Sequence, residues 1–453
     1  MGINTITVDL GASGTKVYLC ELKDQQFKLH ELDRFESFAY AKGPLHFWDV
    51  DRLFERIMET VRRVRKSRSI ASIGFDGWGV DFVPLDEHDN KLSDPLQYFA
   101  MFKLSESIEK EIQANRKAIT QAVPTQYQPF NTVYQLIYFK KENPEWFSRI
   151  KKIVSIPSYL AGRLAKRYVY EFTHATTTQL YDYQTRQWSE QIIHQLGFGQ
   201  IFPEVVNAGT VIGEDHGMDI ILPATHDTAS AYAAITSEPA TTLNISLGTW
   251  CLNGIILKAQ TIPANEIEFN NYAVEGCYDN DLRILANTPG LLLWEKAKKE
   301  IQEQLGKAIT YKELEQMALE SGNDDLAMDV EQAENFTGNH LLETIGSEIG
   351  SQESGKILNA ILNGIAKRIG QTKADMERLF NKRLAQVHII GGGVNNRLLC
   401  NRIAQATCLP VKTHPSEGTT IGNAMIQMLG TTHIPSIPVM KSIIDQSTAY
   451  KHY

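Results

Sequence analysis

The chain has 453 residues, 43% hydrophobic and 22% charged, with a formal net charge of −8. That balance excludes a disordered or fibrous chain, and the length fits two or three domains, each able to bury a core. The acid excess argues against a nucleic-acid binder, which needs a basic surface, but not against small-phosphate chemistry, which depends on local groups.

No stretch is apolar enough for long enough to span a bilayer, and no membrane partner is expected. The N-terminus lacks a basic segment followed by an apolar run, so no signal peptide is expected. Met1-Gly2 opens a myristoylation pattern, but Ile6 stands where that pattern wants Ser or Thr. The cysteines, Cys20, Cys251, Cys277, Cys400 and Cys408, include no CxxC pair. Cys400 and Cys408 fall in one predicted helix, about 12 Å apart and too far to bridge. Reduced thiols in a cytoplasmic protein are the expectation.

The chain opens with a predicted strand, Thr5 to Leu10, a turn at Gly11 to Gly14 and a second strand, Thr15 to Leu19: a β-hairpin. Asp49 to Lys66 reads as a helix capped by Asp49 or Asp51, with Leu53, Ile57, Val61 and Val64 on one face. A buried strand follows at Ile70 to Phe75. A polar helix is expected at Ser105 to Lys117 and an amphipathic one at Asn131 to Lys141. Tyr170 to Trp188 reads as irregular. Ile220 to Pro223 is a short strand running into His226-Asp227-Thr228 and a helix. Around residue 240 the opening pattern returns, with strand Thr241 to Ser246, turn Leu247-Gly248-Thr249 and strand Cys251 to Leu257, which points to an internal duplication. The domain boundary is expected near 238, giving domains 1–238 and 239–453. Gly322 to Gly355 reads as a polar surface insertion. A long helix is expected near Lys356 to Phe380, then strand Val387 to Ile390, three glycines, a helix from Asn395 and a final helix from about Thr420.

Four motifs carry chemistry. In Asp9-Leu10-Gly11-Ala12-Ser13-Gly14-Thr15-Lys16, small residues let backbone N–H groups approach a phosphate, hydroxyls and Lys16 add donors, and Asp9 can hold a hydrated Mg²⁺. The order is not that of a Walker A loop. Alone, such a hairpin is also just a tight turn. Ser246-Leu247-Gly248-Thr249 occupies the equivalent place in the second half, so the two turns could grip one polyphosphate. Gly391-Gly392-Gly393 before a helix suits close passage of a ligand, or serves as a plain strand-to-helix turn. Asp227, where a short strand meets a helix, is placed either to abstract a proton or to cap that helix. His226 taken alone reads as structural.

In this order and spacing the motifs resemble the FGGY family of carbohydrate kinases, from about Thr5 to Gly430, and within it the rhamnulokinase branch. Further carriers are Trp48-Asp49-Val50-Asp51, Trp78-Gly79-Val80-Asp81-Phe82, Pro129-Phe130-Asn131-Thr132, Ala175-Thr176-Thr177-Thr178-Gln179-Leu180 and Gly248-Thr249-Trp250. The resemblance implies an α/β fold of two actin-like (ribonuclease H-like) domains with the active-site cleft between them. It implies ATP and Mg²⁺ as cofactors and L-rhamnulose as the sugar. Asp227 would be the proton acceptor, and Gly79, His226, Thr228 and Asn287 would line the sugar site. Ala12, Ser13, Gly14, Thr15, Lys16, Thr249, Glu295 and Gly392 would contact ATP, with the metal at Asp9.

The sequence departs from the branch in two places. Glu295 stands where a glutamine is usual. Tyr98-Phe99-Ala100-Met101-Phe102-Lys103 replaces a segment that normally reads Tyr-Arg-Asp, one variable residue, then Arg-Thr. A charged sugar-side element has become largely apolar, which keeps another ketose (L-fuculose or a pentulose) and a non-catalytic nucleotide or sugar sensor as alternatives. Homodimer assembly is left open.

Overall fold

The first strand, Ile3–Gly11, is almost wholly buried and turns back antiparallel into Gly14–Lys23, with Asp9 opposite Lys16. The computed structural model describes residues 2–11, 14–102, 104–258, 262, 272–322, 325–332, 340–414 and 417–453. Among these, the first strand lies in a six-stranded sheet ordered Thr210–Asp215, Met218–Leu222, Ser72–Gly77, Ile3–Gly11, Gly14–Lys23, Gln26–Phe35. The three strands Met218–Leu222, Ser72–Gly77 and Ile3–Gly11 are parallel, so their C-terminal ends open on one edge. Asp9 and Asp76 are register partners there.

The chain packs as two units. The first comprises Met1–Thr236, Leu257–Arg283 and Gly418–Thr448; the second comprises Ser237–Ile256, Ile284–Glu417 and Ala449–Tyr453. The second unit repeats the local logic of the first. Thr242–Leu247 pairs antiparallel with Trp250–Leu257 and parallel with Gln386–Ile390, which pairs parallel with Val411–Thr413. Both sheets are therefore mixed.

In the first unit, helix Val50–Arg65 is capped by Asp49, which accepts from the Arg52 N–H, and buries Leu53, Ile57, Val61 and Val64 as their spacing requires. Helix Gly418–Gly430 packs on Asp227–Ala233 so closely that a Cβ at Gly422 would sit 1.7 Å from Ser230 O. It also reaches the sheet. Gln427 donates to Ile6 O at 3.0 Å and accepts from Ser72 Oγ at 2.7 Å, and Asn423 donates to Asp76 Oδ2.

Four expectations need correction. The helix after the three glycines begins at Arg397, preceded by a 3₁₀ turn Gly392–Asn395, because Asn396 caps it by accepting from Leu399 N–H. Cys408 falls just past its end, and all five cysteines are free. The helix from Gly418 is not the last, since Ile437–Ser447 follows and buries Met440, Ile443 and Ile444. The segment expected as surface insertion contributes core where it is described, with Met328, Val330, Leu341, Leu342 and Ile345 buried. Tyr170 to Trp188 consists of short elements, and its threonines are buried and bonded locally, Thr176, Thr177 and Thr178 each to a carbonyl three residues back.

Candidate active site

The site of the first unit is built where the parallel strands end. The strand Met218–Leu222 leaves the sheet through Thr225, whose carbonyl accepts from Gly77 N–H at 2.9 Å, and His226 bridges Gly77. Buried Glu171 fixes this exit: one carboxylate oxygen takes both the N–H and the hydroxyl of Thr225, each at 2.9 Å. The same carboxylate binds Thr173, whose Oγ1 accepts from His226 N–H at 3.2 Å. Burial outweighs these bonds and raises Glu171 above the usual carboxylate range.

Asp227 is the first residue of its helix, and the cap position is His226, whose side chain makes no capping bond. The Asp227 carboxylate does not reach down the helix. Its Oδ1 accepts from Thr228 N–H and from Thr228 Oγ1 at 3.1 Å, and lies 3.5 Å from His226 Nε2. Oδ2 has no hydrogen-bond partner among the described residues, and the side chain is 31% exposed. Of the two roles open to this residue, the geometry leaves one oxygen available to a ligand.

Asp76 was not singled out by sequence. It is fully buried, Asn423 donates to one of its oxygens, and Oδ1 has no hydrogen-bond partner among the described residues. Burial, then the charges of Asp9 and Asp227, push it above the usual carboxylate range. The expected Mg²⁺ is tested by this arrangement. A magnesium ion arriving with a nucleotide needs one or two carboxylates and takes its other oxygens from phosphate and water. Asp9 fits as such a ligand, in a neighbourhood whose excess negative charge a hydrated cation would neutralise. Among the described residues no cluster of three or more His, Cys, Asp or Glu could cage a metal by itself. Lys16 Nζ lies 3.2 Å from Asp9 Oδ2, and the Thr15 hydroxyl is buried against Ser37 Oγ at 3.1 Å. Ala12 and Ser13 lie outside the described residues, as does Lys103.

Gly79 begins a tight turn. Asp81 N–H bonds Gly79 O at 2.9 Å across Val80, which has φ +70°. A γ-turn of this hand is strained, more so on a β-branched residue. It is clamped from every side: Thr132 Oγ1 donates to Val80 O at 2.7 Å, and Val80 N–H donates to Thr177 Oγ1 at 3.3 Å. Buried Asp81 accepts from the indoles of Trp48 and Trp78 at 2.8 and 2.9 Å and from Gln135 at 3.2 Å. Burial nevertheless pushes Asp81 up to about 7. The departing segment forms a 3₁₀ turn, Tyr98–Phe102, whose Tyr98 and Phe102 rings lie 5.2 and 5.5 Å from that of Phe130.

In the second unit the expected nucleotide residues gather on adjacent elements. Gly248 O and Thr249 O accept the first N–H groups of helix Leu291–Leu305, which carries Glu295. Glu295 Oε1 accepts from Tyr311 OH at 2.7 Å. The three glycines separate by role. A Cβ at Gly391 would meet Leu247 O at 2.8 Å and one at Gly393 would meet the Leu247 side chain at 2.2 Å, whereas one at Gly392 would have no atom of the described residues within 4 Å. Packing thus requires the outer two, and the middle one is free for a ligand. Asn287 is half-buried on strand Leu282–Pro289.

Sequence reasoning also missed Glu275 and Arg283, both buried beside His226. The available signal was a single charge inside each of two apolar runs, Ala273-Val274-Glu275 and Leu282-Arg283-Ile284-Leu285.

Two family models match. The FGGY carbohydrate kinase N-terminal domain covers residues 4–217 and the C-terminal domain covers residues 243–431. A rhamnulokinase from Halalkalibacterium halodurans is 30% identical over 99% of this chain and 98% of that protein. One from Bacteroides thetaiotaomicron is 29% identical, over 99% and 95%. Among solved structures, xylulose kinase from Lactobacillus acidophilus superposes with TM-score 0.79 at 16% identity, covering 99% of this chain and 93% of that one. Glycerol kinase from Plasmodium falciparum with ADP gives 0.79 at 15%, covering 100% and 94%. No helix among the described residues is long and apolar enough to cross a membrane. With both domain models matched and a full-length relative at 30% identity, the chain belongs to the FGGY family of carbohydrate kinases, ATP-dependent sugar kinases of two-domain, actin-like α/β fold.

Proposed function

We propose that the chain phosphorylates L-rhamnulose to L-rhamnulose 1-phosphate. The observation that carries this reading is the full-length likeness to proteins named rhamnulokinase, at 30% identity over 99% and 98% of the chain in two of them.

Phosphoryl transfer asks for in-line positioning and charge neutralisation more than covalent chemistry. The primary hydroxyl oxygen attacks the γ-phosphorus, the bond to the β,γ-bridging oxygen breaks, and ADP leaves. The hydroxyl proton passes to Asp227, at Oδ2. Gly79, His226, Thr228 and Asn287 orient the sugar. Gly14, Thr15 and Lys16, with Ala12 and Ser13, hold phosphate oxygens, and Thr249, Glu295 and Gly392 hold the nucleotide. Asp9 would hold a hydrated Mg²⁺, which would supply neutralisation of charge on the terminal phosphates. The clamped turn at Val80 supports the assignment of Gly79, because backbone strain persists where surrounding structure holds it for a purpose.

A second reading, another ketose such as L-fuculose or a pentulose, is favoured by the apolar Tyr98–Phe102 turn packed on Phe130. Coupled ADP release with Mg·ATP over L-rhamnulose, L-fuculose and D- and L-xylulose decides. Preferred turnover of L-rhamnulose is the expected result. Preference for another sugar moves the substrate and keeps the mechanism. ATP binding with no turnover on any sugar would make the chain a sensor.

A further inference from the structure

Behind Asp227 lies a buried row of charged and titratable groups. Arg283 is fully buried, and Glu275 and His226 are each 6% exposed. Arg283 Nε donates to Gly276 O at 2.9 Å, and Nη2 donates to Glu275 Oε2 at 2.9 Å. The same Nη2 lies 3.1 Å from His226 Nδ1. Glu275 Oε2 is 3.3 Å from that Nδ1, and His226 Nε2 is 3.5 Å from Asp227 Oδ1.

A guanidinium carries donors only and stays protonated. Its 3.1 Å contact with Nδ1 therefore requires a lone pair there. A neutral imidazole with a lone pair on Nδ1 has its proton on Nε2, the nitrogen facing Asp227. The imidazolium would set N–H against N–H across that contact. We propose that Arg283 and Glu275 are positioning residues for the base: they hold His226 neutral in its Nε2–H form, so that Asp227 faces a hydrogen-bond donor and neither a rival proton acceptor nor a full positive charge. The proposal rests on reading Asp227 as the base.

Each member has a physical task. Glu275 balances the buried guanidinium charge and orients Nη2. Arg283 excludes a proton from Nδ1 although a carboxylate stands 3.3 Å away. His226 Nε2–H faces Oδ1 from 3.5 Å, and that oxygen already takes both Thr228 donors, which leaves Oδ2 to receive the incoming proton. The other groups around the imidazole do not supply this. His174, ring centroid 6.1 Å away, is held neutral by burial, down to about 3, and Glu171 is occupied by Thr173 and Thr225.

The test is the pH dependence of kcat/KM for the sugar in Arg283→Met. Without the donor, Nδ1 takes a proton shared with Glu275, and the imidazolium weakens Asp227 as a base. Expected is a loss of about 10²-fold near pH 7, much of it regained as pH rises past the ordinary histidine range. Adding Glu275→Gln to that variant should restore activity near pH 7, because the carboxylate that favours the imidazolium is gone. A loss equal at all pH values, with no gain from the second change, would show only structural support and overturn the proposal. Should the variant not fold, nitrogen NMR of histidine-labelled native protein, with the His226 signal assigned from His226→Gln, reads the tautomer directly. A protonated Nδ1 refutes the proposal. An Nε2–H form in a protein whose Asp227→Asn variant keeps full turnover would instead remove the base reading and leave the tautomer standing.

Discussion

At the scale of single residues, Asp227 combines the two properties a base needs: partial exposure and one oxygen without a partner among the described residues. Asp227→Asn keeps the shape and removes the basicity. Its kcat should fall by about 10²–10⁴-fold. Its melting temperature should barely move, because the side chain's bonds are local ones to Thr228. Coupled ADP release and a thermal melt on the same preparation check both halves, and a variant of undiminished kcat would remove Asp227 from the mechanism. The position, though not its role, could be picked out in sequence because its setting is local, a short strand, then His-Asp-Thr, then a helix. Glu275, Arg283 and Asp76 could not. Their meaning lies in partners 49, 57 and 347 residues away (His226 for the first two, Asn423 for the third), and pattern reading has no range at those distances.

At the scale of elements, the hairpins and the long helices were readable because a period of two or of 3.6 fixes which side chains face the core. The turn at Val80 was not, since nothing in Trp-Gly-Val-Asp announces a positive φ on valine; only the clamp explains it. Asp81 gives that clamp a pH dependence of definite sign. Its value is about 7 in the fold against 3.8 ordinarily, so the folded chain binds the proton more tightly than the unfolded one. The contribution to stability is full below about pH 4 and is lost as pH rises through 7. Asp81→Asn lacks this titration. Urea unfolding of both proteins at pH 5 and pH 8 should show the native chain losing stability relative to the variant at the higher pH, while a pH-independent difference would show that Asp81 is ionised throughout.

At the scale of the whole molecule, two match regions and two units agree in number, but the chain does not finish one unit before starting the next. The first unit takes back Leu257–Arg283 and Gly418–Thr448 after its first 236 residues. Sequence patterns mark where elements begin and end, and they carry no information about which distant element a strand or helix will pack upon. The returning pieces are not decoration. Gly418–Gly430 supplies Gln427 to Ile6 and Ser72 and Asn423 to Asp76, and it buries the helix that carries Asp227. The other piece supplies Glu275 and Arg283 to His226. A fragment of residues 1–238 would therefore leave Asp76 buried without its donor, or wetted by opening of the sheet, and would uncover the apolar face that Ile421, Met425 and Met428 help to close. Such a fragment should give no cooperative melt and should bind a dye for exposed apolar surface, whereas the full chain melts cooperatively. A fragment melting as sharply as the full chain, at a similar temperature, would mean that the first 238 residues hold a complete core and that the returning segments serve only the site.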